Sequence, residues 1–339
     1  MADDILIRQI AGIVTSGTPI VLAALGETLA ERAGVINLGV DGTLLLSAVS
    51  AFITALAVQK GLSGHMDAGL VTLIAALAGS LVAMLVGVIE SLVVTISSIE
   101  LKQSQVAIGF VLTLLGRDLA IFLGTPYRSQ GGIPVLFLPI PLLKDIPLLG
   151  PILFQHDLFT YLSLITLIVM WFWIFRTKPG LTLRSVGERP ATAFARGANV
   201  NRIRYIYTAI GGALIGLGGA AYTLSVNSTW DENAVGGNGW IALAIVIFGG
   251  WQPLRVVIGV YLVAALRVLV TSVQSSFDPA LVGLMNAAPW LLMIITLFLV
   301  SGSYLERLLK ILPRSVHPAL RALLRSKPPA ALGTPFEQG

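Results

Sequence analysis

The chain has 339 residues, of which 55% are hydrophobic and only 12% charged, with a mean hydropathy of +0.87. Soluble domains carry about 25% charged residues, so this composition argues against a soluble enzyme, a nucleic-acid-binding domain, a disordered chain or a secreted disulfide scaffold. The absence of cysteine excludes thiolate chemistry and Cys-ligated metals, the three separated histidines (His65, His156, His317) form no metal cluster, and a net charge of +5 needs no acidic partner when basic loops of a membrane protein give the same sum.

The opening MADDILIRQI lacks the basic n-region of a signal peptide, so the first apolar segment, 10–30, is expected to be retained. Further apolar segments follow at 36–58, 69–97, 104–124, 158–176, 203–225, 238–250, 253–273 and 288–303. Most are long enough to cross a bilayer as helices. The exception, 238–250, reads as a half-helix or a re-entrant segment. The expected fold is an all-α polytopic integral membrane protein of about nine transmembrane segments, some short or broken, with 1–303 as the transmembrane domain and 304–339 as a basic cytoplasmic tail.

The stretch from Ala33 to Gly42 places Gly34, Asn37 and Gly39 at the entrance of an apolar run, and Gly236–Ala244 does the same with Gly236, Gly237, Asn238 and Gly239. Glycine-broken segments in two oppositely oriented halves point to a substrate path. Ordinary loop-to-helix caps explain them equally well. Asn37, Asp41, Asn238 and Trp240 are the path candidates, because Asn and Trp hydrogen-bond or stack on a neutral polar ring. Ionisable residues inside the spans are few: Glu27, Asp41, Glu90, Arg117, Asp118 and Arg267. Each is costly in hydrocarbon unless it faces protein or water. Glu27 and Asp41 are expected near the inner surface, and Glu90 stands mid-span without a local partner.

Gly79, Ala83 and Gly87 recur every four residues, as do Gly212, Gly216 and Ala220. Such small-residue faces let two membrane helices approach closely. The segment 125–157 is interrupted by prolines that rule out a long helix, and it is expected to cap the bundle at its external end.

Seven basic residues lie between Arg176 and Arg204 against one acid, Glu188, and six more follow residue 304. The positive-inside rule places both stretches in the cytoplasm and, by counting spans, the N-terminus outside. Within the first stretch, Pro190 suits the first turn of a helix that Gly197 would end. A short helix of small residues with one Phe fits a groove on another protein; a merely basic, solvated loop remains the alternative. The tail beyond residue 312 reads as a short amphipathic helix on the inner surface. No GxxxxGK[ST], HExxH or GxSxG string occurs, so no ATPase or hydrolase motif is present and the chain is read as a non-enzyme.

The run Leu25–Gly42 closely resembles a signature of ABC importer permeases of the branched-chain amino acid, ribose and simple-sugar group, with Leu38 and Asp41 where Ile and Glu are usual. The stretches Val186–Val200 and Gly239–Pro253 are similar to that family as well. The likeness is closest to nucleoside and simple-sugar permeases that work with basic-membrane-protein-type binding lipoproteins. It implies a permease subunit of the bacterial inner membrane, without cofactor of its own, that forms a path for a nucleoside or simple sugar. It further implies a second permease subunit, often a different chain, an extracytoplasmic binding protein, and cytoplasmic ATPase subunits carrying ATP and Mg. The ATPase would meet Glu188, Arg189, Pro190, Ala191, Ala193, Phe194, Arg196 and Gly197 of the 183–200 loop. A branched-chain amino acid cargo and an ion-coupled secondary transporter are the competing readings.

Overall fold

The computed structural model describes residues 2–128, 130–274, 277–287, 291, 294–295 and 327–337. These form helices α1 (Ala2–Arg32), α2 (Val40–Leu62), α3 (Ala68–Ile99), α4 (Gln105–Gly124), α5 (Leu158–Arg176), α6 (Lys178–Glu188), α7 (Pro190–Ala195), α8 (Val200–Ala221), α9 (Glu232–Val235), α10 (Asn238–Phe248), α11 (Pro253–Val273) and α12 (Pro279–Asn286), with no strand among the described residues. Helix starts are set by local chemistry. The carboxylates of Asp67 and Asp157 each accept two backbone N–H bonds from the first turn they precede, and the Ser104 and Asn199 side chains each accept one.

Among the described residues, seven helices are long and apolar enough to cross a membrane, α1, α2, α3, α4, α5, α8 and α11, so the expectation of about nine is not confirmed. The sequence segment 238–250 yields an 11-residue helix, α10. At 1.5 Å per residue such a helix covers only about half of a hydrocarbon core. The expected span at 288–303 lies almost wholly outside the described residues.

Helix α8 is the hub, and its glycines explain how three neighbours crowd it. A Cβ at Gly212 would fall on the Gly87 carbonyl of α3, one at Gly216 on the Ala83 carbonyl, one at Gly211 on the Gly26 carbonyl of α1, and one at Gly219 on the Leu44 carbonyl of α2. Both small-residue faces read from the sequence therefore pack against each other. Close approach brings many dispersion contacts per residue, which is what holds membrane helices together when lipid is as apolar as their side chains.

These contacts also fix depth. Gly26 meets Gly211 and Pro19 meets Gly218, so α1 runs antiparallel to α8. Leu44 meets Gly219 and the Thr223 hydroxyl donates to the Ala48 carbonyl (3.0 Å), so α2 runs parallel to α8. By that register α2 begins beside Ile215, roughly 22 Å along the axis of α8. The linker 33–39 thus climbs without helical structure from the end of α1 to the middle of the bundle. From the opposite end, 227–237 descends past Gly124, where Trp230 packs, and past Leu45, near Gly236. Helix α10 then completes the crossing to Trp251, beside Glu31 and Arg32 at the end of α1. The half-helix reading of 238–250 holds, and together with 227–237 the segment does traverse the bundle.

The 125–157 segment holds no long helix, as its prolines dictate, only a 3-10 turn at Thr125–Tyr127 and a π-helical turn at Gly150–Phe154, and lies on the bundle end opposite α6 and α7. Gly132 N–H donates to the Ser228 carbonyl (2.9 Å) and His156 Nδ1 pairs with the Thr15 hydroxyl (3.2 Å).

Candidate functional site

The 178–197 region folds as two short helices at a sharp corner. Pro190 occupies the first position of α7, Gly197 N–H donates to the Phe194 carbonyl (2.8 Å), and Gly197 takes φ +86°, a conformation suited to glycine. The helix anticipated from Pro190 to Gly197 is therefore present, although α6 before it was not foreseen. Glu188, Arg189, Ala191, Phe194, Arg196 and Gly197 are exposed and Pro190 is half-buried. Ala193 is buried against Val186 and Val200, so its role is to seat α7 on the bundle. An open groove of about 510 Å³ between α6 and α7 is lined by Ser185, Glu188, Arg189, Thr192 and Arg196 among others.

This corner is joined firmly to the bundle. A Cβ at Gly187 would strike the Arg32 carbonyl at the end of α1. The guanidinium groups of Arg32 and Arg184 lie 5.4 and 5.5 Å from the Phe175 ring centroid, a cation–π arrangement. Arg32 Nε donates to the Trp251 carbonyl (2.6 Å), and the Trp251 indole N–H donates to the Glu31 carboxylate. The α6–α7 corner, the α1 end and the α10 end are thereby one block.

The second part of the site is the seam where the two broken segments meet. Freed backbone groups there need partners, and buried side chains supply them. Glu27 accepts from Asn37 N–H (3.0 Å), the Asn37 side chain accepts from Gly39 N–H (2.9 Å), Gln105 accepts from Ile36 N–H (2.8 Å), and the Thr113 hydroxyl donates to the Leu38 carbonyl (2.7 Å). Asp41 reaches across to α10. It accepts from Gly239 N–H (2.9 Å), with the N–H groups of Gly237 and Trp240 also directed at it and Arg117 as the nearby cation. Gly237, at the N-cap position with φ +84°, offers no side chain of its own. Asp41 is thus the cap of α10, supplied from another helix. Gly239 must be glycine, because a Cβ would collide with the Asp41 backbone.

Among the four path candidates, Asn37, Asp41 and Asn238 are buried, and each hydrogen-bonds backbone groups. Only Trp240 keeps exposed surface, on the face of α10 that also carries Ala244 and Ile247. Glu27 and Asp41 are buried inside the bundle, Glu27 one turn before Glu31 near the end of α1 and Asp41 in the first turn of α2. Glu90 does have a partner, accepting from the Thr43 hydroxyl at 2.5 Å. Sequence reasoning missed the Glu31–Trp251 pair. The spacing of Glu27 and Glu31 by one helical turn was the available signal.

Residues 9–301 match the family model described as branched-chain amino acid transport system / permease component. The chain is 35% identical to the putative glucose ABC transporter permease protein TsgC13 of Haloferax volcanii, over 80% of this chain and 81% of that protein. It is 32% identical to the nucleoside ABC transporter permease protein NupC of Lactococcus lactis, over 72% of this chain and 76% of that protein. It is also 32% identical to the guanosine ABC transporter permease protein NupQ of Bacillus subtilis, over 73% of this chain and 78% of that protein. No solved structure matches.

Proposed function

The chain belongs to the branched-chain amino acid transport system permease family, and from that premise we propose that it forms part of the translocation path of an ABC importer for a nucleoside or a simple sugar. The cargo class follows the substrates for which its relatives are named. The observation that carries the mechanism is the exposed α7 helix, rigidly tied to the ends of α1 and α10.

A cytoplasmic ATPase subunit seats α7 through Arg189, Ala191, Phe194 and Arg196 and supplies ATP and Mg. Its closure displaces the docking block. Because α10 is a half-helix pivoting on Asp41, the displacement reaches the Trp240 face in mid-bundle. The Trp240 ring offers a stacking surface to a base or sugar. A binding protein delivers cargo at the 125–157 end, and a second permease subunit completes the path opposite Trp240. By the positive-inside rule, the basic stretches support a docking corner and C-terminus in the cytoplasm and an N-terminus outside. The family description favours one second reading, a branched-chain amino acid as cargo.

Uptake of labelled guanosine, glucose and leucine, in cells deleted for the gene and complemented with it, tests the cargo. Guanosine or glucose uptake restored by complementation is the expected result. A response to leucine alone overturns the cargo and keeps the machine.

A further inference from the structure

Residues 327–337 lie outside the 9–301 family match, and they are folded onto the docking corner. The tail helix expected beyond residue 312 falls mainly on 313–326, outside the described residues, while 327–337 form a turn and extended chain. Pro328 and Pro329 stiffen the approach. Ala331 N–H then donates to the Gly187 carbonyl (2.9 Å) at the α6–α7 corner, and two residues on Gly333 N–H donates to the Gly34 carbonyl (3.0 Å) of the linker before α2. Gly333 takes φ +71° to make the reversal, and its position leaves a Cβ only 2.8 Å from Ile36 Cδ1. Phe336 packs edge-on against Phe194 of α7 with ring centroids 5.9 Å apart, Leu332 joins the main core, and Glu337 pairs with Lys102.

We propose that 327–337 is a strap that ties the docking corner to the linker 33–39 and passes docking-loop displacement to the seam at Asn37 and Asp41. The proposal rests on the docking reading of α7 and deepens it. Its two backbone anchors decide the matter. One is on the corner that the ATPase would move, and the other is three residues from Asn37. A cover that keeps the ATPase away would lie over the groove between α6 and α7. The strap instead holds Gly187, one side of Phe194 and, through Ala330 N–H (3.4 Å), the Glu188 carboxylate at the groove's rim, leaving Arg189, Ala191, Thr192 and Arg196 exposed. Buried Arg204 stands at the same junction, beside Gly34, with Nε and Nη2 meeting no acceptor among the described residues. Unmet buried donors at a joint fit a part that takes more than one position over a cycle.

The test uses the transporter reconstituted with its ATPase subunits in proteoliposomes. The readout is the cargo moved per ATP hydrolysed, with whichever of guanosine or glucose the wild type takes up. Ending the chain after Ser326 is expected to leave ATPase co-purification and hydrolysis in place and to lower transport per ATP by about tenfold, the size of an ordinary coupling between sites. Gly333→Ala, which keeps the tail, is expected to lower it in the same direction. Since the chain has no cysteine, Phe194→Cys with Phe336→Cys and a short bifunctional thiol reagent reports the contact itself, and the two positions are expected to join. An unchanged transport-to-ATP ratio in both tail variants overturns the strap, as does loss of ATPase co-purification, or failure of positions 194 and 336 to join. Arg196→Glu separates the two ideas. If it leaves stimulated hydrolysis intact, the docking reading fails and the strap with it; if it abolishes hydrolysis while the tail variants keep a normal ratio, the strap alone fails.

Discussion

Asp41 gives the sharpest test of how the broken segments are held. Replacing it with alanine removes a charged acceptor from the buried Gly239 N–H, about 1.5–3 kcal/mol for such a bond. It also removes an anion from the N-terminus of α10, about 0.3–1 kcal/mol and up to about 2 in a partly buried setting. The combined loss is about 3 kcal/mol. Asparagine retains an acceptor of the same shape and forfeits the charge, about 1 kcal/mol. At roughly 2 °C per kcal/mol for a long chain, the aggregation temperature in detergent should fall by about 6 °C for Asp41→Ala and about 2 °C for Asp41→Asn. The KM of uptake in Asp41→Asn should stay at the wild-type value, because the carboxylate is engaged by the N–H groups at the start of α10. Wild-type stability in Asp41→Ala would refute the cap. A stable Asp41→Asn with a raised KM would instead put the carboxylate on the path.

Other positions give independent checks. Gly212→Ala places a methyl on the Gly87 carbonyl, and overpacking at such a seam costs about 1–3 kcal/mol. Membrane accumulation should fall in Gly212→Ala and remain normal in Gly12→Ala, where nothing lies within 4 Å; equal accumulation of the two would contradict the α3–α8 packing. The exposed Lys102 ammonium holds the Glu337 carboxyl below its ordinary value of 4.5. A depressed carboxyl stabilises the folded tail above that ordinary value, and its contribution is lost as pH falls through the lowered pKa. An exposed pair of this kind contributes little, so thiol joining of positions 194 and 336 should persist at neutral pH in Lys102→Ala. Release of the tail by that single change would show that the backbone anchors are not what holds it.

Much of this architecture was legible in the sequence because it rests on local rules. Four-residue spacing of Gly212, Gly216 and Ala220 names a packing face wherever the partner is, and Pro190 with Gly197 brackets a helix on their own conformational preferences. The glycine-broken segments could be read as interruptions, but not as partners. Their meeting at Asp41 and Gly239, 198 residues apart, is set by how deep α2 begins against α8, and no local signal encodes that depth. Glu90 looked unpaired for the same reason, since Thr43 reaches it from another helix. The strap was missed because its bonds run from backbone N–H groups, which every residue other than proline carries. Only Gly333 and the prolines around it mark the turn.

The central claim is that α7 transmits ATP hydrolysis to this chain. The most direct measurement is cargo-stimulated ATPase activity and uptake in the reconstituted complex, comparing wild type with Arg196→Glu at the exposed end of α7. The account predicts that the reversed charge abolishes both while the protein still inserts and purifies as a folded chain. Normal stimulated hydrolysis with normal uptake, or uptake that survives the change and collapses when the proton gradient is discharged, would contradict it.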